Sequence, residues 1–318
     1  GVIIAWSGKQ HTVLEAGVVV FDGNEITFVG QSYDGPCDET IDATGRLVIP
    51  GLINSHLHLT DTPYTKGHQE DVGNPSGPGN YQNYNALYKM LPGVRKAALP
   101  EDQYAGSQIS LAELLLSGST TICELGYDFE IGGGGDIAIT EKIAGIIGDS
   151  GIRCYSGPRF RTRFYGSDDK GGVFYQNYPE PDTGKRFDAC VNFCDDWNGK
   201  YDDRIRTILA PGQIDTCDAE LLRRTRRYAD ELSVPIQIHA GQSPLEFSRV
   251  RETEGYTSVE YMSETGLLGP DLIIGHGQFM SDDGDVGSMA EHEIEVLRDS
   301  KTSVCHLPWV KARRGGVI

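Results

Sequence analysis

Pro50-Gly51-Leu52-Ile53-Asn54-Ser55-His56-Leu57-His58-Leu59 closes an apolar run with two histidines one residue apart. Residues i and i+2 of a strand point to the same face. If the run is a strand, both imidazoles project the same way and can grip one metal ion. A His-x-His pair on its own is more often a packing or surface feature. What surrounds this one decides between the two.

Upstream lies Ile41-Asp42-Ala43-Thr44-Gly45-Arg46-Leu47-Val48-Ile49-Pro50-Gly51. Before that, 2–6, 17–22 and 25–29 read as short β segments, with Asp22-Gly23-Asn24 as a turn. No helical period occurs up to residue 49. From residue 50 strands alternate with helices, the pattern of a parallel α/β architecture. Strands are expected at 52–59, 120–125, 153–157, 206–210, 235–239, 272–276 and 302–306, and helices at 103–116, 137–147, 185–197, 219–232 and 291–297. The polar stretch 61–91, rich in Gly, Asn and Tyr, reads as a long functional loop or lid, or else as a surface excursion. Gly132–135 reads as a flexible connection, because no phosphate-binding spacing follows it.

The ordered series Asp-Ala-x-Gly, Pro-Gly-Leu-Ile-Asn, His-x-His resembles the amidohydrolase superfamily, in its branch of aminohydrolases and triazine-type hydrolases. The likeness runs from about residue 15 to the end and is strongest at 41–60, 232–246 and 268–279. It implies an α/β fold: a (β/α)8 TIM-barrel-type metallohydrolase over 50–318, and part of a small β-sandwich over 1–49. Seven barrel strands are counted rather than eight. The last βα unit is therefore expected to be missing, and the chain to be a fragment of a longer protein. An unclosed barrel would leave unpaired edges and poor stability.

Active residues of such a barrel sit at the C-terminal ends of its strands. His56 and His58 end the first expected strand, His239 the fifth and His276 the sixth. Each alone could be a hydrogen-bonded core histidine; their recurrence at equivalent places is the argument. The resemblance implies that His56, His58 and His239 ligate one divalent metal ion, zinc or else ferrous iron, and that His276 is catalytic beside the activated water and the substrate. Binuclear relatives carry a lysine at the end of the fourth strand. Arg206-Thr207-Ile208-Leu209-Ala210-Pro211-Gly212 has none, which favours one ion.

Two departures bear on the chemistry. Many deaminases of this branch carry His-x-x-Glu on the fifth strand, and this chain has His239-Ala240-Gly241-Gln242. A glutamine hydrogen-bonds a substrate but exchanges no proton near neutral pH. Glu246, seven residues after His239, falls on the following helix and is not taken as its replacement. The second departure is the general-base aspartate of the eighth strand, expected beyond Ile318. The reading is thus a hydrolase that sets water on a C–N bond of a small nitrogen heterocycle, by deamination or amide hydrolysis. Hydrolytic dehalogenation on the same site is the alternative, as is a truncated chain that binds metal without turnover.

Gln242, Gln213 and His306 are the candidate substrate contacts. Cys305 could equally be core, and Glu124 either supports a ligand histidine or is a plain barrel-layer residue. Arg159-Phe160-Arg161-Thr162-Arg163 could hold an anionic substrate group or pair with surface carboxylates. His11, His68 and His292 read as loop or helix-surface residues. A net charge of −18 over 318 residues argues against nucleic acid as a partner. It reads as a solubilising surface before it reads as a site for a cationic substrate. Seven scattered cysteines read as free thiols of a cytoplasmic protein. No apolar run is long enough to span a membrane. The partners expected are a small-molecule substrate and, with the sequence silent on the matter, other copies in a homo-oligomer.

Overall fold

The computed structural model describes residues 1–60, 63, 88, 90–126, 137–168, 170, 172–179, 182–280, 289–308 and 310. Most of the expected loop 61–91, the Gly132–135 connection, His68, Trp309 and the chain beyond 310 lie outside these residues. Two compact units are present, Gly1–Leu52 and Ile53–Ile318.

In the first unit, β1 (Val2–Trp6) pairs antiparallel with β2 (His11–Leu14) and parallel with β5 (Leu47–Val48). A second sheet is the hairpin of β3 (Val18–Asp22) and β4 (Glu25–Gly30), in register Asp22↔Glu25. Gly23 turns that hairpin at φ +56, the left-handed region a two-residue turn requires. Strands β2 and β5 were not anticipated. His11, expected on a loop or helix, lies on β2 with its ring edge-on to Trp6, because the short strand pairs back on β1.

The second unit starts with β6 (Leu52–Leu57), α1 (Leu91–Ala97), α2 (Pro100–Leu116), β7 (Ser119–Glu124), α3 (Ile137–Asp149), β8 (Arg153–Ser156) and β9 (Arg159–Phe160). Next come β10 (Arg163–Ser167), β11 (Val173–Asn177), α4 (Asp182–Trp197), β12 (Ile205–Thr207), β13 (Ala210–Pro211) and α5 (Ala219–Leu232). It continues through β14 (Ile236–Ala240), α6 (Pro244–Glu254), α7 (Ser258–Glu264), β15 (Leu272–His276), α8 (Glu291–Ser300) and β16 (Ser303–Cys305).

The helices start where local chemistry starts them. Pro100 opens α2, and the Asp102 carboxylate accepts from Leu99 N at 2.9 Å. Asp218 caps α5 by accepting from Leu221 N at 2.8 Å. Ser243 caps α6, Pro244 follows, and Gly255 at φ 81 ends it. Helix α6 was anticipated, without bounds, as the helix after the fifth strand that carries Glu246, whereas α7 escaped the sequence reading because its apolar positions are interleaved with polar and charged ones. The β10–β11 hairpin escaped because it interrupts the strand–helix alternation.

Pairing follows chain order. One sheet runs β12-β8-β7-β6 and another β14-β15-β16. Parallel bridges Leu209↔Ile236 and Gln213↔His239 join the fourth strand region to the fifth. The seven expected barrel strands therefore all occur, in barrel order. Among the described residues no pairing closes the arc between β6 and β16. Strand β14 is buried at every position, as a parallel strand covered on both faces must be. Its Ile236 and Ile238 join Phe160, Phe187, Leu222 and Ile274 in the larger core, and Ile122, Ile143, Ile147 and Ile205 centre a second.

Candidate metal centre

Strand β6 delivers His56 at its end and His58 just beyond it, while β14 delivers His239. One ligand nitrogen from each lies within 4.8 Å of the others. His58 Nε2 and His239 Nε2 are 3.0 Å apart. Zinc–nitrogen bonds of about 2.0–2.1 Å place two ligand nitrogens roughly 3 Å apart, so the spacing suits a single ion.

The hydrogen bonds settle the tautomers. His56 Nδ1 lies 2.9 Å from Gln237 Oε1, His58 Nδ1 3.3 Å from Leu125 O, and His239 Nδ1 3.3 Å from Gly212 O. Each of these oxygens only accepts, so each Nδ1 carries the hydrogen and each Nε2 keeps a lone pair. Gln237 has its own orientation fixed, because its Nε2 donates to Ser55 O at 2.8 Å. Such outer partners hold ligand imidazoles in place. His56 Nε2 is buried with no hydrogen-bond partner among the described residues. Lone pairs facing one another in a dry interior repel, and a cation between them removes the conflict.

Burial keeps the His56 and His239 rings neutral. Burial pushes His56 down to about 4, with Gln237 opposing and the Arg159 charge adding to the effect. Burial drives His239 well below its usual range, helped by His56, His58 and Arg159. Neutral imidazole is the form that binds a metal.

His276 ends β15 with its ring centroid 5.1 Å from that of His56 and 5.5 Å from that of His239. Its φ of 81 is unusual for a residue with a side chain and is the kind of strain found at functional sites. Gly275 precedes it for a packing reason: a Cβ there would stand 2.5 Å from His56 Cε1.

Gln213 Nε2 donates to Gln242 Oε1 at 2.8 Å, so these two expected substrate contacts meet. His306, the third, is exposed after β16. Cys305 Sγ lies 3.0 Å from Ser55 Oγ, linking the seventh expected strand to the first. Glu124 accepts from Leu59 N at 2.8 Å and so fixes the segment carrying His58. The arginine cluster divides: Arg163 pairs with Glu254 at 3.1 Å, Arg161 lies over the Tyr165 ring, and Arg159 charges the histidine site. His292 is on α8, 3.7 Å from Glu260.

One supporting residue was missed, Gln237, and a second, Glu246, was named in the sequence but set aside. Gln237 betrayed itself only as a polar residue inside Ile236-Gln237-Ile238. Glu246 is fully buried at the start of α6, accepting from Gly241 N at 2.5 Å and Gln242 N at 3.3 Å. The Ser-Pro-Leu-Glu helix-start signature was its signal. Burial, with Asp215 nearby, raises its carboxyl well above the usual range.

Comparison with known proteins gives the family and the fold. The model of the amidohydrolase family matches residues 47–314, and the chain belongs to that family. It is 24% identical over 310 residues to a 5-methylthioadenosine/S-adenosylhomocysteine deaminase of Halothermothrix orenii, covering 95% of this chain and 62% of the relative. It is 28% identical over 297 residues to a 5'-deoxyadenosine deaminase of Methanothermobacter thermautotrophicus, covering 93% and 59%. The chain thus spans about three fifths of the length of these relatives. Among solved structures, an adenosine deaminase from Xanthomonas campestris with bound zinc aligns with a TM-score of 0.71 at 20% identity, over 99% of this chain and 63% of that one. An atrazine chlorohydrolase from Arthrobacter aurescens complexed with zinc aligns with a TM-score of 0.69 at 18% identity, over 99% and 65%. These likenesses carry the metallohydrolase barrel fold.

Proposed function

We propose that this chain is the metal-binding part of a hydrolase acting on a C–N bond of a small nitrogen heterocycle, by deamination or amide hydrolysis. His56, His58 and His239 hold one divalent ion, zinc in the first place and ferrous iron in the second. The observation that carries this is one ligand nitrogen from each of three histidines gathered within 4.8 Å, with an oxygen at each Nδ1 that leaves Nε2 its lone pair. Bound there, the ion supplies a Lewis acid that lowers the pKa of a water towards about 7. His276 stands beside the ligands and steadies negative charge that develops on the substrate. Gln213, Gln242 and His306 orient the heterocycle. A small molecule is the substrate. Seven free thiols support a reducing, cytoplasmic setting. No helix among the described residues is long and apolar enough to cross a membrane.

Hydrolytic dehalogenation is the second reading, favoured by Gln242. A carboxamide cannot hand a proton to a leaving amine near neutral pH, and a halide leaves without one.

Elemental analysis of the purified chain, beside the His56→Ala/His58→Ala double variant, tests the metal reading. About one zinc or iron per chain, lost in the variant, is expected. No metal in either protein overturns it. Release of ammonia or halide across purines, pyrimidines and triazines then separates the two chemistries.

A further inference from the structure

Two oxygens on one turn beside the metal centre lack a hydrogen. Asp215 lies in the 3-10 turn Ile214–Thr216 and is 2% exposed. Its Oδ2 accepts the Tyr175 hydroxyl at 2.5 Å, and its buried Oδ1 has no hydrogen-bond partner among the described residues. Gln213, two residues earlier, is 6% exposed. Its Nε2 donates to Gln242, and its buried Oε1 has no hydrogen-bond partner among the described residues. Folded proteins rarely leave buried acceptors unmet, because the lost hydration goes uncompensated. The nearby carboxyl of Glu246 is already committed to Gly241 N and Gln242 N. The turn is coupled to the site itself: Gly212 O holds the His239 ring, and Gln213 bridges to His239.

We propose that Asp215 Oδ1 and Gln213 Oε1 form an acceptor pair that binds hydroxyl or amino hydrogens on a substituent of the substrate, away from the carbon attacked. This rests on the metal-centre reading and narrows it. A purely alkyl substituent leaves both oxygens unmet, whereas a polyhydroxyl or amino substituent satisfies them. The substrate is then a heterocycle with a donor-bearing appendage rather than an alkyl-substituted ring. The Tyr175 hydroxyl occupies the other carboxylate oxygen, Oδ2, and leaves Oδ1 to the substrate.

The test is calorimetric titration of the zinc-loaded full chain with inosine and with 9-methylhypoxanthine. These share a base, differ in the hydroxyl-bearing sugar, and are deamination products that undergo no turnover. The parent chain is expected to bind inosine at least about tenfold more tightly. Asp215→Asn keeps a carbonyl for the Tyr175 hydroxyl and sets an NH2 where Oδ1 stood, so the preference should vanish. Tyr175→Phe is expected to lower the melting temperature and keep a preference for inosine. Gln213→Met, expected to weaken the preference in part, serves if Asp215→Asn does not fold. Equal binding of the two ligands by the parent, binding of neither, or a preference intact in the folded Asp215→Asn or Gln213→Met chain overturns the proposal. Zinc content separates the two failures. A chain that takes up zinc yet shows no preference overturns this inference alone, and one that takes up no zinc overturns the metal reading and this inference with it.

Discussion

Gln237 shows how much a single residue decides here. Its Oε1 takes the Nδ1 hydrogen of His56, and its Nε2 is anchored on Ser55 O. Gln237→Leu keeps the volume and removes the tautomer lock. Zinc affinity, read by chelator competition, should fall roughly 10–100-fold. Protonation acts at the same scale. Folded His56 holds to about 4 against an ordinary 6.5, so the unfolded chain takes a proton that the folded chain refuses. Stability from this group is full above 6.5 and is lost as the pH falls towards about 4. Buried Asp215 has the opposite sign. Burial raises its carboxyl above the ordinary 3.8, so its contribution is present at low pH and lost as the pH rises through the folded value. In metal-free protein, the melting temperature of Asp215→Asn should therefore gain on the parent between about pH 4 and about pH 7. A gap that is constant or narrows over that range would count against the buried ionisation.

At the scale of elements, strand ends and helix caps carry the load. The Gly275 position lets β15 pass close to the His56 ring, with no room for a Cβ. Gly275→Ala should displace His56 and weaken zinc binding by more than it lowers the melting temperature of the metal-free chain. Equal affinity in the variant would show that the ring can shift without consequence. Asp218→Ala removes the α5 cap and should cost about 1 kcal/mol in denaturant unfolding. Because α5 carries no proposed ligand, its zinc affinity should stay that of the parent. Arg226 reinforces the same helix by pairing with Asp271 at 2.5 Å and Asp230 at 2.7 Å, which ties α5 to the residue before β15.

For the whole molecule, metal binding and folding are linked. The three proposed ligands come from β6, the residue just past its end and β14, and β6 and β14 lie in different sheets, so the proposed site exists only when the arc is assembled. Zinc at about 100 times its dissociation constant should stabilise the chain by about 2.7 kcal/mol, and chelator should reverse this. Scanning calorimetry with and without zinc checks it, and a melting temperature indifferent to zinc would contradict a folded metal centre.

Much of this was legible in the sequence. The alternation of strands and helices is local, and seven barrel strands could be placed from short apolar runs bounded by polar segments. The histidines stood out because period-2 geometry and strand ends are sequence properties. Other features have no local signature. The His239–Gly212 contact and the Gln213–Gln242 bond join different strands, and the open oxygens of Gln213 and Asp215 are defined by what fails to reach them. Gln237 looked like a blemish in an apolar strand until His56, 181 positions away, was brought against it. The chain by itself determined which elements form and which residue types could bind a metal, since propensity, capping and periodicity act over a few residues. Only the tertiary structure decided which nitrogens face one another, which stay neutral and which acceptors remain unmet, because burial and hydrogen bonding depend on neighbours distant in sequence.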